Sequence, residues 1–215
     1  MQSAGNDIVA LCGINKERTN NPRFYRQILA VAEQELFHAS ANNHLSFDVF
    51  VWLAWSVKES AYKYFKRSGP QLIFSPTKII IQHIETMVSP DPATDGYQGS
   101  FTFEYRTCYF KSKVTSEFIA SIVSDDKDFK GVNWGIRKTN GSDQSKEVRR
   151  FLLETLETHF PGKALQVSSS TDQHPVVIYE GKPLELPVSF SHHASFVSFA
   201  MLYPGTAPCL LPPAP

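Results

Sequence analysis

The segment 46–67, SFDVFVWLAWSVKESAYKYFKR, constrains the fold most strongly, because it is an apolar run of helix length. Ser46 is a residue type that caps helix N-termini, and Gly69-Pro70 predicts the end of the helix. A helix that is apolar over most of its surface is usually buried. We therefore expect this helix to lie inside the core of the domain.

Three charged residues interrupt this apolar helix: Lys58, Glu59 and Lys63. Trp55, Glu59 and Lys63 are spaced four residues apart and so share one stripe of the helix. One interpretation is an ordinary Glu–Lys pair on a solvated face. The other is a carboxylate that binds a hard cation, with lysines directed at phosphate, since Mg²⁺ is held by one or two carboxylates plus substrate phosphates. Asp7, alone in an apolar strand segment, is the candidate second carboxylate, although it also suits a strand start or an Asx turn.

The remaining segments predict blocks of helices and strands in the order helices, strands, helix, strands. Strands are predicted at 5–14, 78–88, 99–112 and 117–124 and within 163–202. Helices are predicted at 20–40 and 145–160. A polar connector is expected at 126–142 and a proline-rich tail at 204–215. This order favours an α+β fold over a parallel βαβ array.

Composition excludes several classes of protein. The formal net charge is zero, so no global field attracts the chain to nucleic acid or membrane, and no apolar run approaches the roughly 18 residues of a membrane span. The N-terminal segment does not predict a signal peptide. Three scattered cysteines without metal-ligand spacing favour a reduced, cytoplasmic location. Neither a P-loop nor a GxGxxG motif is found.

A second polar cluster lies near the C-terminal end. Ser189, Ser191 and His192 interrupt a β-like apolar segment, and Lys182-Pro183 lie in a glycine-proline turn just upstream. Taken singly, a core or edge histidine and a hairpin turn explain these residues equally well.

Together, these motifs resemble those of the 4′-phosphopantetheinyl transferase superfamily. The helix signature W-x-x-K-E-[A/S]-x-x-K, the strand signature G-x-D, and the later G-K-P and S-x-S-H elements are all matched. The matching positions are Trp55, Lys58, Glu59, Ser60 and Lys63, then Gly5 and Asp7, then Gly181, Lys182 and Pro183, and finally Ser189, Ser191 and His192.

The resemblance implies a reaction and a fold. The phosphopantetheine arm of coenzyme A would be moved onto a serine of an apo acyl or peptidyl carrier protein, with Mg²⁺ or Mn²⁺, releasing 3′,5′-ADP, as in holo-acyl-carrier-protein synthases. The implied fold has two similar αβ halves that form a pseudo-dimer. Carriers of fatty-acid, polyketide and peptide synthesis are not distinguished by the sequence.

The resemblance also implies roles by position. Asp7 and Glu59 would ligate the metal, Glu59 would act as base toward the carrier serine, and Lys63 would neutralise or protonate the leaving phosphate. The expected contacts to coenzyme A are Lys58, Lys63, Lys182, Pro183, Ser191 and His192. Lys146 and Arg149 are candidates for its 3′-phosphate, although no motif identifies them, and Arg23, Arg26, Lys66 and Arg67 are candidates for a basic rim that meets the carrier.

One position departs from the longer members of the family, which often read G-x-D-x-E. Here the third carboxylate is replaced by Val9, as in the shorter, holo-acyl-carrier-synthase-type members. We therefore expect a two-carboxylate site completed by water or another group. The same departure leaves open an alternative function, a non-catalytic module that binds coenzyme A or a carrier protein.

The order of the motifs is reversed relative to the long members, which act as monomers and carry the G-K-P and S-H half first. Here a metal-binding half, 1–125, precedes a coenzyme A-binding half, 143–203. We hypothesise a circularly permuted two-half protein, which requires Asp7 and His192 to lie close together in one chain. A monomer is favoured, and a trimer with sites between subunits, as in the short members, is the alternative.

Overall fold

The computed structural model describes residues 3–39, 45–88, 93–170 and 174–203. The strands are β1 Gly5–Ala10, β2 Ile79–Met87, β3 Asp95–Phe103, β4 Arg106–Val114, β5 Phe118–Ser124, β6 Val132–Lys138, β7 Leu165–Ser169, β8 Pro175–Tyr179, β9 Lys182–Pro183, β10 Val188–His193 and β11 Phe196–Leu202. The helices are α1 Lys16–Thr19, α2 Pro22–Tyr25, α3 Val31–Ala39, α4 Phe47–Lys66 and α5 Gln144–His159, with single 3₁₀ turns at Leu11–Gly13 and Pro76–Lys78. The predicted tail 204–215, with Cys209, lies outside the described residues.

The first half is a five-stranded antiparallel sheet in the order β1-β5-β4-β3-β2, and α4 packs on one of its faces. Phe50 and Val57 of α4 and Phe101 and Phe110 of the sheet are fully buried there. The predicted strand 99–112 is in fact a hairpin of β3 and β4, whose turn places Glu104 at a φ of 54°. The expectation of a buried apolar helix is confirmed.

The second half contains two three-stranded sheets, β6-β11-β10 and β7-β8-β9, and α5 packs against them. Its separate core includes Leu152, Leu156, Phe199 and Met201. In both halves the last strand lies between the first strand and the strand that immediately precedes the last. The resulting orders are β1-β5-β4 and β6-β11-β10. The α+β prediction is confirmed. None of the helices in the described ranges is long and apolar enough to cross a membrane.

The segment 126–142, predicted as a connector, contains a strand. β6 pairs with β11 along its whole length, with Trp134 opposite Ala200 and Ile136 opposite Ser198. The apolar residues of β6 alternate with Asn133, Gly135 and Arg137, and both sets of residues are only partly buried. The polar composition of the segment is the reason that this strand was not predicted. The second half therefore begins earlier in the chain than predicted.

The predicted helix 20–40 is also broken, into α2 and α3. The carbonyl oxygen of Ile28 accepts a hydrogen bond from the Lys58 ammonium, and the Glu33 carboxylate accepts the backbone N–H of Ala30 at the start of α3. These side-chain bonds replace helical ones. Ser46 occupies the N-cap of α4 as predicted, but its side chain makes no capping hydrogen bond.

Candidate active site

Strand β1 lies against α4 at a distance that only glycine permits. A Cβ atom on Gly5 would stand 2.1 Å from the carbonyl oxygen of Ser60 and 2.9 Å from Cβ of Tyr64. Because side chains alternate along a strand, Asp7 and Val9 share the helix-facing side of β1 with Gly5. The glycine of the G-x-D motif thus brings Asp7 onto α4.

Lys63 on α4 forms the contact with that strand. Its Nζ atom lies 3.0 Å from Oδ1 of Asp7 and 3.0 Å from the carbonyl oxygen of Asn6. The Asp7 carboxylate is nearly buried, whereas Lys63 remains partly exposed. The predicted partner of Lys63, Glu59, is not the group to which its ammonium is bonded.

Glu59 lies one helical turn before Lys63 and is partly buried. Burial raises the pKa of the Glu59 carboxyl, the positive charge of Lys63 lowers it, and the negative charge of Asp7 raises it again. The two carboxylates and the lysine therefore form one electrostatic cluster. Within the described residues, no group of three or more histidine, cysteine or acidic side chains could hold a metal ion.

Strand β10 closes the other side of Asp7. The Ser191 hydroxyl donates to Oδ1 of Asp7 at 2.8 Å and accepts the backbone N–H of Ile8 at 3.2 Å. The next residue, His192, is exposed. The S-x-S-H strand and the G-x-D strand therefore meet within one chain, as the permutation hypothesis requires.

A cleft of about 610 Å³ opens beside this cluster, between α4 and the second half. Its lining includes the basic side chains Lys63, Lys66, Arg67, Arg149 and His192. This concentration of positive charge in a neutral protein is suited to a phosphate-rich ligand.

Two arginines of the cleft also hold its walls. Arg67 donates to the carbonyl oxygens of Pro175 and Val188 at 3.2 Å each, and burial lowers the pKa of its guanidinium. Arg149 donates to the Ser169 hydroxyl at 3.3 Å. Arg67 thereby joins the end of α4 to two strands of the second half.

The structure does not place Lys58 in the cleft. Its ammonium is fully buried and lies 2.6 Å from Oε2 of Glu33, which is itself 0% exposed, and it also donates to the carbonyl oxygen of Ile28. Desolvation lowers the pKa of Lys58, and the charge of Glu33 raises it in part. The structure therefore gives no support to the expected contact between Lys58 and coenzyme A: this lysine holds α4 to α3 and to the segment before α3.

Lys182 and Pro183 also lie apart from the cleft. Both are exposed on β9, which pairs with one end of β8: Lys182 lies opposite Tyr179, and Pro183 lies opposite Ile178. The residue of β8 that lines the cleft is Pro175, at the other end of that strand. Four residues of extended strand separate the two ends of β8 by about 13 Å. The structure therefore gives no contact between the G-K-P motif and the cluster around Asp7.

The remaining predicted residues divide between the cleft and the surface. Of the two candidates for the 3′-phosphate, Arg149 lines the cleft, whereas Lys146 is exposed and pairs with Asp143 at 3.0 Å. Lys66 and Arg67, which were candidates for the carrier rim, both line the cleft. Their spacing of three and four residues from Lys63 is the sequence signal that could have identified them.

The donor set fits a small hard cation. Asp7 of β1 and Glu59 of α4 lie near enough for the negative charge of Asp7 to contribute to the raised pKa of Glu59. Both hydrogen bonds that the structure gives to the Asp7 carboxylate use Oδ1. A divalent ion would relieve the repulsion between these two side chains, and two carboxylates completed by phosphate and water are the usual ligands of Mg²⁺.

Comparison with protein families gives a match to the first half of the chain. The model of the 4′-phosphopantetheinyl transferase superfamily matches residues 3–123, which include β1, α4 and the first sheet up to the last residue but one of β5. Comparisons with curated proteins and with solved structures found no match.

Proposed function

Because the chain belongs to the 4′-phosphopantetheinyl transferase superfamily, we propose that it transfers the phosphopantetheine arm of coenzyme A onto a serine of an apo acyl or peptidyl carrier protein. The observation that carries this proposal is the meeting of Asp7, Glu59 and Lys63 beside a cleft lined by basic side chains. We further propose that the reaction depends on Mg²⁺, or on Mn²⁺ in its place, and releases 3′,5′-ADP.

Asp7 and Glu59 are the residues that would hold the ion. When bound there, Mg²⁺ supplies positive charge that offsets the charge developing on the pyrophosphate oxygens during phosphoryl transfer. Lys63, Lys66, Arg67, Arg149 and His192 line the space in which the pyrophosphate and the 3′-phosphate of coenzyme A would bind.

Glu59 is the proposed base. It accepts the proton of the carrier serine, directly or through a water molecule. The serine oxygen forms a bond to the phosphorus that bears the pantetheine arm, and the bond from that phosphorus to the 3′,5′-ADP oxygen breaks. Lys63 neutralises the departing phosphate from its position between α4 and β1.

The proposed protein is a self-contained monomer of permuted order. The support is that Asp7 and Ser191, 184 residues apart in sequence, are hydrogen-bonded within one chain, and that each half places its last strand between its first strand and the strand that immediately precedes the last. A reduced, cytoplasmic location agrees with the free thiols of Cys12 and Cys108.

The test is incubation of the purified chain with MgCl₂, coenzyme A and an apo carrier protein, followed by the intact mass of the carrier. We expect the mass gain of one phosphopantetheine arm, dependent on both MgCl₂ and coenzyme A. Coenzyme A binding without any mass gain on acyl and peptidyl carriers would overturn the transferase proposal. It would support the non-catalytic binding module, the alternative that Val9 in place of a third carboxylate leaves open.

A further inference from the structure

The outer edge of β1 is capped by side chains instead of by a neighbouring strand. β1 pairs with β5 on one side. On the other side, the backbone N–H groups of Asn6, Ile8 and Ala10 are accepted by Oγ of Ser189 at 3.3 Å, Oγ of Ser191 at 3.2 Å and Nδ1 of His193 at 3.0 Å. The two-residue spacing on both strands lets alternate side chains of β10 replace a main-chain ladder.

Ser191 differs from the other two caps because it also contacts the Asp7 carboxylate. A hydroxyl has one proton to donate, and the distance of 2.8 Å to Oδ1 of Asp7 assigns that proton to the carboxylate. The same oxygen accepts the Ile8 N–H, so the hydroxyl is held from both sides. It therefore has no proton left to donate to a phosphate oxygen. Donation to phosphate is the role that the motif implies for Ser191.

Oδ1 of Asp7 receives two donors from different parts of the fold, Lys63 of α4 and Ser191 of β10. Two donors on one oxygen fix the rotation of the carboxylate and leave its other oxygen for a cation. Ser191 is 6% exposed, so water competes little for this bond.

We propose that Ser191 is a positioning residue through which the second half of the chain orients the metal-binding carboxylate of the first half. This inference rests on the proposed function only in taking a divalent cation as the ligand of Asp7. Loss of a hydrogen-bond partner behind a metal ligand usually weakens metal binding by about 10–100-fold.

The experiment titrates the full-length protein with MnCl₂, alone and with coenzyme A, and measures bound Mn²⁺ by electron paramagnetic resonance. Ser191→Ala should raise the Mn²⁺ dissociation constant about 10–100-fold. Ser191→Cys, which keeps the side chain near its original size with a weaker donor, should have an intermediate effect and covers the case in which Ser191→Ala does not fold. His193→Ala is the matched control, because it removes a cap from the same edge without touching Asp7.

Three results would overturn the proposal: Mn²⁺ affinity unchanged in Ser191→Ala or, where that variant does not fold, in Ser191→Cys; equal weakening in His193→Ala; or no Mn²⁺ bound by the wild-type protein. Carrier modification is measured separately. A wild-type protein that binds Mn²⁺ but modifies no carrier would overturn the proposed function, while the comparison of variants would still decide the role of Ser191.

Discussion

At the scale of single residues, Glu59 is placed where function and stability oppose each other. Burial and the negative charge of Asp7 make ionisation of its carboxyl costly, and the positive charge of Lys63 offsets part of that cost. The folded protein therefore holds the Glu59 proton more tightly than the unfolded chain does. Relative to a neutral residue, ionised Glu59 destabilises the metal-free protein.

Glu59→Gln should consequently stabilise the metal-free protein at neutral pH. The pKa of Glu59 is higher in the folded protein than in the unfolded chain. Protonation of Glu59 therefore stabilises the fold fully at pH values below the ordinary glutamate pKa, and this stabilisation is lost as the pH rises through the folded pKa. The variant should thus be more stable than wild type at pH 8 and should lose this advantage toward pH 4.5. Urea denaturation in EDTA measures the difference in unfolding free energy, and an advantage independent of pH would contradict this account of Glu59.

Lys58→Met should destabilise the protein by about 3–5 kcal/mol, because it leaves the buried Glu33 carboxylate without its countercharge. Urea denaturation measures the loss. Lys66→Met, on the same helix but partly exposed, is the control and should change stability by about 0.5 kcal/mol or less. Wild-type stability of Lys58→Met together with weakened coenzyme A binding would restore the phosphate contact that the motif implies.

The sequence identified the central carboxylates and Lys63, because polar residues in apolar segments are conspicuous and the motif spacing relates them. It did not predict that Lys58 is buried against Glu33, because this contact joins residues 25 apart in the sequence and no local pattern encodes it. The role of Ser191 was likewise hidden, since a motif names a residue without showing which neighbour receives its proton.

At the scale of elements, the packing of β1 on α4 determines the site. Ser60 and Tyr64 leave no room for a side chain at residue 5, so the helix and strand meet backbone to backbone. Any displacement of β1 would move Asp7 relative to Glu59.

Gly5→Ala should therefore cost about 1–3 kcal/mol of stability by overpacking. It should also slow transfer by about 10²-fold, the usual effect of a misplacement of about 1 Å. Gly13→Ala is the matched control, because a Cβ atom there would meet no atom within 4 Å. Denaturation and initial transfer rates provide the measurements, and equal behaviour of the two variants would refute close packing as the reason for the glycine.

Elements with a strong periodic pattern were predicted well, as α4 and α5 show. The prediction failed where tertiary bonds override local preference, as in the break between α2 and α3, where Lys58 takes the carbonyl of Ile28. The prediction also failed at β6. This strand is half-buried and therefore has a polar sequence, and it pairs with a strand about 60 residues later in the chain.

At the scale of the whole molecule, the site joins the two halves of one chain. Asp7, Glu59 and Lys63 come from the first half, whereas Ser191, His192 and Arg149 come from the second. The hypothesis of a permuted order came from the sequence, because the motifs could be ordered along it. The contacts between the halves required the structure.

A site contained in one chain predicts a monomer in solution. Multi-angle light scattering at micromolar concentration should give a mass near 24.2 kDa. A trimer would instead favour the arrangement of the short family members, in which subunits share their sites.

The central claim, that both halves of one chain build one transferase site, is tested most directly by mixing two variants. Intact carrier mass is measured after incubation with MgCl₂, coenzyme A and either wild type, Glu59→Gln, an Arg149→Ala/His192→Ala double variant, or both variants together. We predict full modification by wild type, strong loss in each variant, and no recovery in the mixture. An inactive wild type, or activity restored by mixing, would contradict the claim.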